Sequence, residues 1–202
     1  MNAAEVVREL TDYAAWEVLP LATKGEGDRL PQWARKLAGV LPKSTAALIE
    51  LDYAQRTVNP IPAQLRAAMR WIIARTNQCS YGEQIAEADG LAAGLDETRL
   101  ASLKDGTYNG WSEAERVAMA FAKQMTIASH DVTDDDFTYL VKEFGDRAAA
   151  SMVLLSAYAN MQDRLLICLQ CEQELERQAV GPIAVTFSPD AFVIDQVHPK
   201  TT

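Results

Sequence analysis

Apolar residues recur at helical spacing along most of the chain. Val6, Leu10, Tyr13 and Ala14 share one side of a helix predicted over residues 3–18, which Pro20 ends. A polar stretch follows over 21–30, and Pro31 then opens a short helix through Leu41, since proline suits a first helical turn. Ser44 can cap a further helix running to about Arg56. The segment Asn59-Pro60-Ile61-Pro62 is a clean break, and the strongest helical pattern of the chain, QLRAAMRWIIARTN, fills residues 63–77 after it. Cys79 sits just past that helix, Ser80 can cap a helix over about 81–93, and Gly94 stops it.

The second half continues in the same way. A short helix fits residues 96–104, and Ser112 with Glu115 makes a capping-box pattern ahead of the run RVAMAFAKQMTIAS. Thr133 and Asp136 make the analogous start for a helix over 134–144, which Gly145 ends, and a long helix is predicted over roughly 147–177. From about residue 181 the chain becomes β-branched and proline-punctuated and reads as an extended tail. Such a tail either docks on its own subunit or a neighbour, or leads into a further domain.

Alanine, leucine, glutamate and arginine dominate, so helices carry the fold. Hydrophobic residues make up 49% and charged residues 23%, a balance that supports a packed core. The net charge of -9 repels phosphate backbones and anionic lipid, which argues against nucleic acid as a partner. No apolar run reaches the roughly 18 residues a membrane span requires. The N-terminal segment carries acids early and does not read as a secretory signal, so a cytoplasmic location is expected. Three cysteines make no disulfide framework.

Residues 65–97, LRAAMRWIIARTNQCSYGEQIAEADGLAAGLDE, resemble the core of the carboxymuconolactone decarboxylase / alkylhydroperoxidase D-like family. Leu65-Arg66, Asn77, Cys79, Tyr81 and Ala93-Gly94 fall in that family's places without a gap, and WSEAERVAMAFAKQMT, Asn160 and Arg164 extend the likeness to about residues 30–175. The resemblance implies an all-α, alkylhydroperoxidase D-like orthogonal helical bundle at residues 60–180. An N-terminal helical extension (1–59) would precede it and an extended tail (181–202) follow it. It further implies a homo-oligomer, a peroxidase-related antioxidant activity, and a peroxide or carboxylate as the small-molecule ligand. The family's site is replaced at several points. Ala67 stands where alkylhydroperoxidase D-like members carry a glutamate, Gly82 where they carry the second, more reactive cysteine, and Ala86 where they carry a proton-relaying histidine. The decarboxylase-like variant has an acid at the position of Gly82 and keeps the histidine.

Two readings of the candidate site therefore stand side by side. In one, Cys79 is the sulfur centre of a peroxidase-related oxidoreductase, with Tyr81 and Glu83 shaping its surroundings and the helix N-terminus at Ser80–Gly82 favouring a thiolate. In the other, Cys79 is a buried, inert residue in a non-catalytic ligand-binding or structural homo-oligomer. A lyase acting on a lactone or keto acid is a third possibility, lacking an identified proton donor. Gly82 and Ala86 share a helix face, which either opens a pocket or closes by tighter packing.

Cys168 and Cys171 form a second Cys-x-x-Cys, expected in the middle of the long helix, where dipole support for a thiolate is missing and core packing is the favoured role. His130 and His198 are too few to complete a metal site with them, and Asp134–Asp136 read as helix-start acids, so neither metal nor cofactor is expected. Trp16, Trp33, Trp71 and Trp111 are expected as packing anchors.

Overall fold

The computed structural model describes residues 7–21, 29–172 and 181–187. Among these the secondary structure is helical, apart from one isolated antiparallel bridge between Leu21 and Phe187. The expected tail residues beyond 187, with His198, lie outside the described residues, as do Val6 and residues 22–28. The chain divides into two compact units, Met1–Leu51 with Ile183–Thr202, and Asp52–Pro182.

The first unit contains α1 (Asp12–Val18), α2 (Gln32–Ala38) and most of α3 (Pro42–Tyr53). Helix α1 starts later than the apolar spacing predicts. Residues 3–6 lie outside the described residues, and 7–11 are not helical. Tertiary partners win there: the Leu10 N–H donates to Arg35 O at 3.2 Å, and Arg35 Nη2 holds Glu9 Oε1 at 2.7 Å. Thr11 then caps the helix, its Oγ1 accepting from the Ala14 N–H at 3.2 Å. Helix α3 begins at Pro42 rather than being capped by Ser44, because proline lacks the N–H that a first turn would leave unsatisfied. It runs on as a single π turn over Ala54–Val58, which buries Gln55 and Arg56.

The second unit holds α4 (Ala63–Asn77), α5 (Ser80–Ala92), α6 (Glu97–Lys104), α7 (Glu113–Ala128), a 3-10 turn (Ser129–Asp131), α8 (Asp134–Phe144) and α9 (Asp146–Cys168). Helix α4 is its axis: Leu65 and every residue from Ala67 to Ala74 are buried, and α5, α7 and α9 pack around it. Leu65, Met69, Ile73, Met119, Leu140, Met152 and Leu155 are almost fully buried. Each contributes roughly 1.5–3 kcal/mol relative to an exposed side chain. Both predicted capping boxes form, Ser112 with Glu115 and Thr133 with Asp136. Gly145, at φ 81°, makes the sharp break between α8 and α9 that other residues would resist. All four tryptophans are buried.

The long helix is shorter than expected. It stops at Cys168, and Gln170 turns left-handed at φ 51°. Cys171 therefore lies beyond the helix, its N–H bonded to Leu166 O at 2.9 Å, and residues 173–177 lie outside the described residues. Cys168 and Cys171 thus sit at a helix end, not mid-helix, and no disulfide joins any cysteines. No helix among the described residues is long and apolar enough to cross a membrane.

Candidate functional site

The turn between α4 and α5 places Cys79. Gln78 closes α4 in the left-handed region at φ 58°, and the Cys79 N–H reaches back to Ala74 O at 2.8 Å. Cys79, not Ser80, is the residue that caps α5: its Sγ accepts from the Gly82 N–H at 3.4 Å. The side chain is 3% exposed. Burial pushes its thiol up to about 12, the nearby Asp163 charge adds to this, and the Gly82 N–H only partly opposes it. The expected support for a thiolate from the helix start is present but outweighed, because a buried anion beside a carboxylate is disfavoured twice.

Asp163, from α9, is the group that sequence reasoning missed. Its Oδ2 accepts from Asn77 Nδ2 at 3.0 Å, and the same amide donates to Asn160 Oδ1 at 3.0 Å. Asn160 in turn donates to Thr126 Oγ1 and Ser156 O. Burial raises the Asp163 carboxyl to about 6, against the pull of Asn77 and Arg70. A β-carbon built on Gly82 would overlap Asp163 Oδ1 and meet the Ala74 Cβ at 3.0 Å. The carboxyl thus occupies the space into which any side chain at position 82 would project. A glycine on α5 facing a lone acid among the buried positions of α9 is the signal that could have found this pair.

Tyr81 and Glu83 share the first turn of α5 with Cys79 but diverge from it. Tyr81 is buried at 4% exposure. The Glu83 carboxylate lies 3.6 Å from Arg75 and lines an open groove of about 520 Å³ with Trp71 and Lys104. Arg164, matched to the family's closing helix, is exposed, whereas Asn160 is buried in the network just described.

A second polar layer crosses the same helices further along. Asp52 accepts from Arg56 Nη1 at 3.0 Å, from the Tyr158 hydroxyl at 2.7 Å and from Gln162 Nε2 at 3.0 Å. Asp89 is clamped by Arg56 and by Arg70 Nη1, the latter at 2.6 Å, and Arg70 also donates to Gln162 Oε1. Burial pushes Asp52 upward, but Arg56 and Arg70 win and hold it below the usual carboxylate range. Burial and the Asp52 charge drive the Tyr158 phenol well above its ordinary value. Among the described residues, no group of three or more His, Cys, Asp or Glu side chains could hold a metal. His130 stands exposed beside Asp131.

No family model matches the chain, and no curated protein matches it. Solved structures do. A peroxidase-related protein from Ralstonia eutropha JMP134, described as an alkylhydroperoxidase AhpD core, is similar with a TM-score of 0.64. It is 19% identical, over 73% of this chain and 78% of that one. The debrominase Bmp8, solved as a cysteine-to-alanine variant with 2,3,4-tribromopyrrole, is similar with a TM-score of 0.68. It is 18% identical, over 84% of this chain and 92% of that one. The protein therefore has the alkylhydroperoxidase D-like all-α fold that residues 65–97 led one to expect.

Proposed function

We propose that this protein uses the alkylhydroperoxidase D-like fold without thiol redox chemistry, as a binder of a small organic molecule. The observation that carries this is the exchange at position 82. The Asp163 carboxyl fills the space a second thiol would need, and it faces a Cys79 that is buried and protonated at neutral pH. A dithiol peroxidase needs an accessible thiolate and a neighbouring thiol to resolve the sulfenic acid. Cys79 has the opposite surroundings, and Ala67 and Ala86 leave no glutamate or histidine to move protons. The debrominase of the same fold holds a small organic ring, which supports a ligand-binding use of the scaffold.

A thiol reading persists in one form, through Cys171. Cys171 adds a small electrostatic push to the Cys79 thiol. Exposing the native protein to hydrogen peroxide and to cumene hydroperoxide, with mass analysis of the cysteine peptides, separates the two. The ligand-binding reading expects no catalytic peroxide consumption and no Cys79–Cys171 disulfide. Turnover that Cys79→Ser abolishes would overturn it.

Self-association belongs to the same proposal. Leu154, Ala157 and Met161 lie exposed along one side of α9 at helical spacing, an apolar stripe suited to another helix. Light scattering at the monomer mass would contradict it.

A further inference from the structure

The second unit contains a cavity of about 250 Å³ whose wall is unusually cationic for a chain of net charge -9. Arg56, Arg66 and Arg70 line it, and Asp89 is its one lining acid. Counting Asp52, which lies behind Arg56, three guanidiniums face two carboxylates among the described residues, an excess of one positive charge. Arg56 and Arg70 are 6% and 4% exposed, and their forks are committed to Asp52, Asp89 and Gln162.

Arg66 differs. It meets only carbonyls: Nη1 donates to Asn59 O at 3.1 Å and Ile61 O at 3.2 Å, and Nη2 to Arg56 O at 2.7 Å. Among the described residues no carboxylate lies within ion-pair distance of it. A guanidinium carries five N–H donors, so Nε–H and one Nη2–H have no acceptor among the described residues. Adjacent donors of this kind form the fork that grips two oxygens of a carboxylate. Burial, with a smaller push from Arg70, lowers the Arg66 guanidinium against the opposing pull of Asp89, and a bound anion would add to that pull.

The remaining wall is small and mostly apolar: Ala63 and Ala67 come from α4, Ala92 ends α5 and Ala93 follows it, and Thr57 and Pro182 complete the lining. Ala67 stands where the resembled family carries a glutamate. A glutamate there would project a carboxylate toward the arginines, cancelling the surplus charge and filling the space.

We propose that this cavity binds a small organic monocarboxylate, its carboxylate on the free edge of Arg66 and its apolar body against the alanines. One surplus charge matches a monoanion better than a phosphate, and the alanine wall suits a short chain or a single ring. This gives the ligand class for the ligand-binding function proposed above and rests on it. The cavity holds roughly eight waters' worth of volume, at about 30 Å³ each.

The test uses 4-fluorobenzoate and uncharged 4-fluorobenzamide as probes, with binding to the full chain followed by fluorine NMR. The benzoate is expected to bind at least tenfold more tightly than the amide. Ala63→Glu places a carboxylate on the rim at an exposed first-turn position, where a helix tolerates an acid. It is expected to weaken benzoate at least tenfold with an unchanged melting temperature. Arg66→Lys keeps the charge but loses the fork, and is expected to weaken benzoate severalfold. No benzoate binding, equal binding of the amide, or indifference to Ala63→Glu would overturn the inference. Because Cys79 takes no part, any of these results leaves the non-redox reading standing, whereas peroxide turnover through Cys79 would remove that reading whatever the benzoate does.

Discussion

Two polar layers run through the same helices, and they handle buried charge in opposite ways. Near the start of α5, Asp163 and Cys79 face each other with no cation among the described residues in ion-pair contact, and burial drives both toward their neutral forms. Further along, Asp52 and Asp89 are clamped by Arg56 and Arg70, and Asp52 is held below the usual carboxylate range although it is as buried as Asp163. Ion-pair geometry rather than burial alone decides whether a carboxylate keeps its charge. The uncompensated layer lies where the resemblance placed a thiol centre. The compensated layer borders the cavity, where Arg66 has no carboxylate at ion-pair distance among the described residues.

The largest effect should come from breaking the compensated layer. Asp52→Ala removes the buried carboxylate shared by Arg56 Nη1, the Tyr158 hydroxyl and Gln162 Nε2, and should cost about 3–5 kcal/mol in chemical denaturation. A change under about 1 kcal/mol would mean that the layer is not buried in solution.

The uncompensated layer should respond in the other direction. The folded Asp163 carboxyl keeps its proton until about pH 6. An unfolded aspartate loses its proton near pH ~3.9. Between those values the native state binds more protons, so stability declines as pH rises through that window and is level above it. Asp163→Asn should remove the decline, leaving the variant roughly 2–3 kcal/mol more stable at pH 8 and little changed at pH 3. Melting profiles across pH would check it, and a variant less stable at pH 8 would show Asp163 to be charged and well paired.

A smaller effect sharpens the link between Gly82 and Asp163. Gly82→Cys, which restores the family's second thiol, should destabilise by about 1–3 kcal/mol through overlap with the Asp163 carboxyl. In an Asp163→Ala background the cost should fall to the part set by the Ala74 Cβ at 3.0 Å, and a double-mutant cycle measures the difference. The smallest expected effect lies outside both layers: Ser112→Ala removes a capping-box hydroxyl and should cost about 1 kcal/mol of thermal stability.

Most of the helices were legible because their signals are local. The capping boxes at Ser112 and Thr133, the break at Pro60–Pro62 and the apolar rows of α4 each act within a few residues. The misreadings arose where a distant partner intervened. Residues 7–11 gave up helical bonds for contacts with Arg35, and α9 ended at Cys168 through a left-handed Gln170 that no proline or glycine announces. The site was legible only in its losses. Ala67, Gly82 and Ala86 could be seen to lack the family's chemistry, and Cys79 to stand alone. Asp163 was not foreseen, because it lies far along the chain from Gly82 and meets it only when α9 packs against α5. The arginine wall was hidden for the same reason: nothing in the local sequence around Arg56, Arg66 and Arg70 announces that they meet at one cavity or that two of them are buried.

The state of Cys79 is best read by the rate of thiol alkylation of the native protein across pH, with each cysteine resolved by peptide mass. Cys168, which is exposed, should label readily. Cys79 should stay unlabelled through neutral pH and react only on unfolding or in strong alkali, as a buried thiol pushed up to about 12 requires. Rapid labelling of Cys79 with an apparent pKa below that of a free thiol, ~8.5, would contradict the non-redox reading and return the site to thiol chemistry.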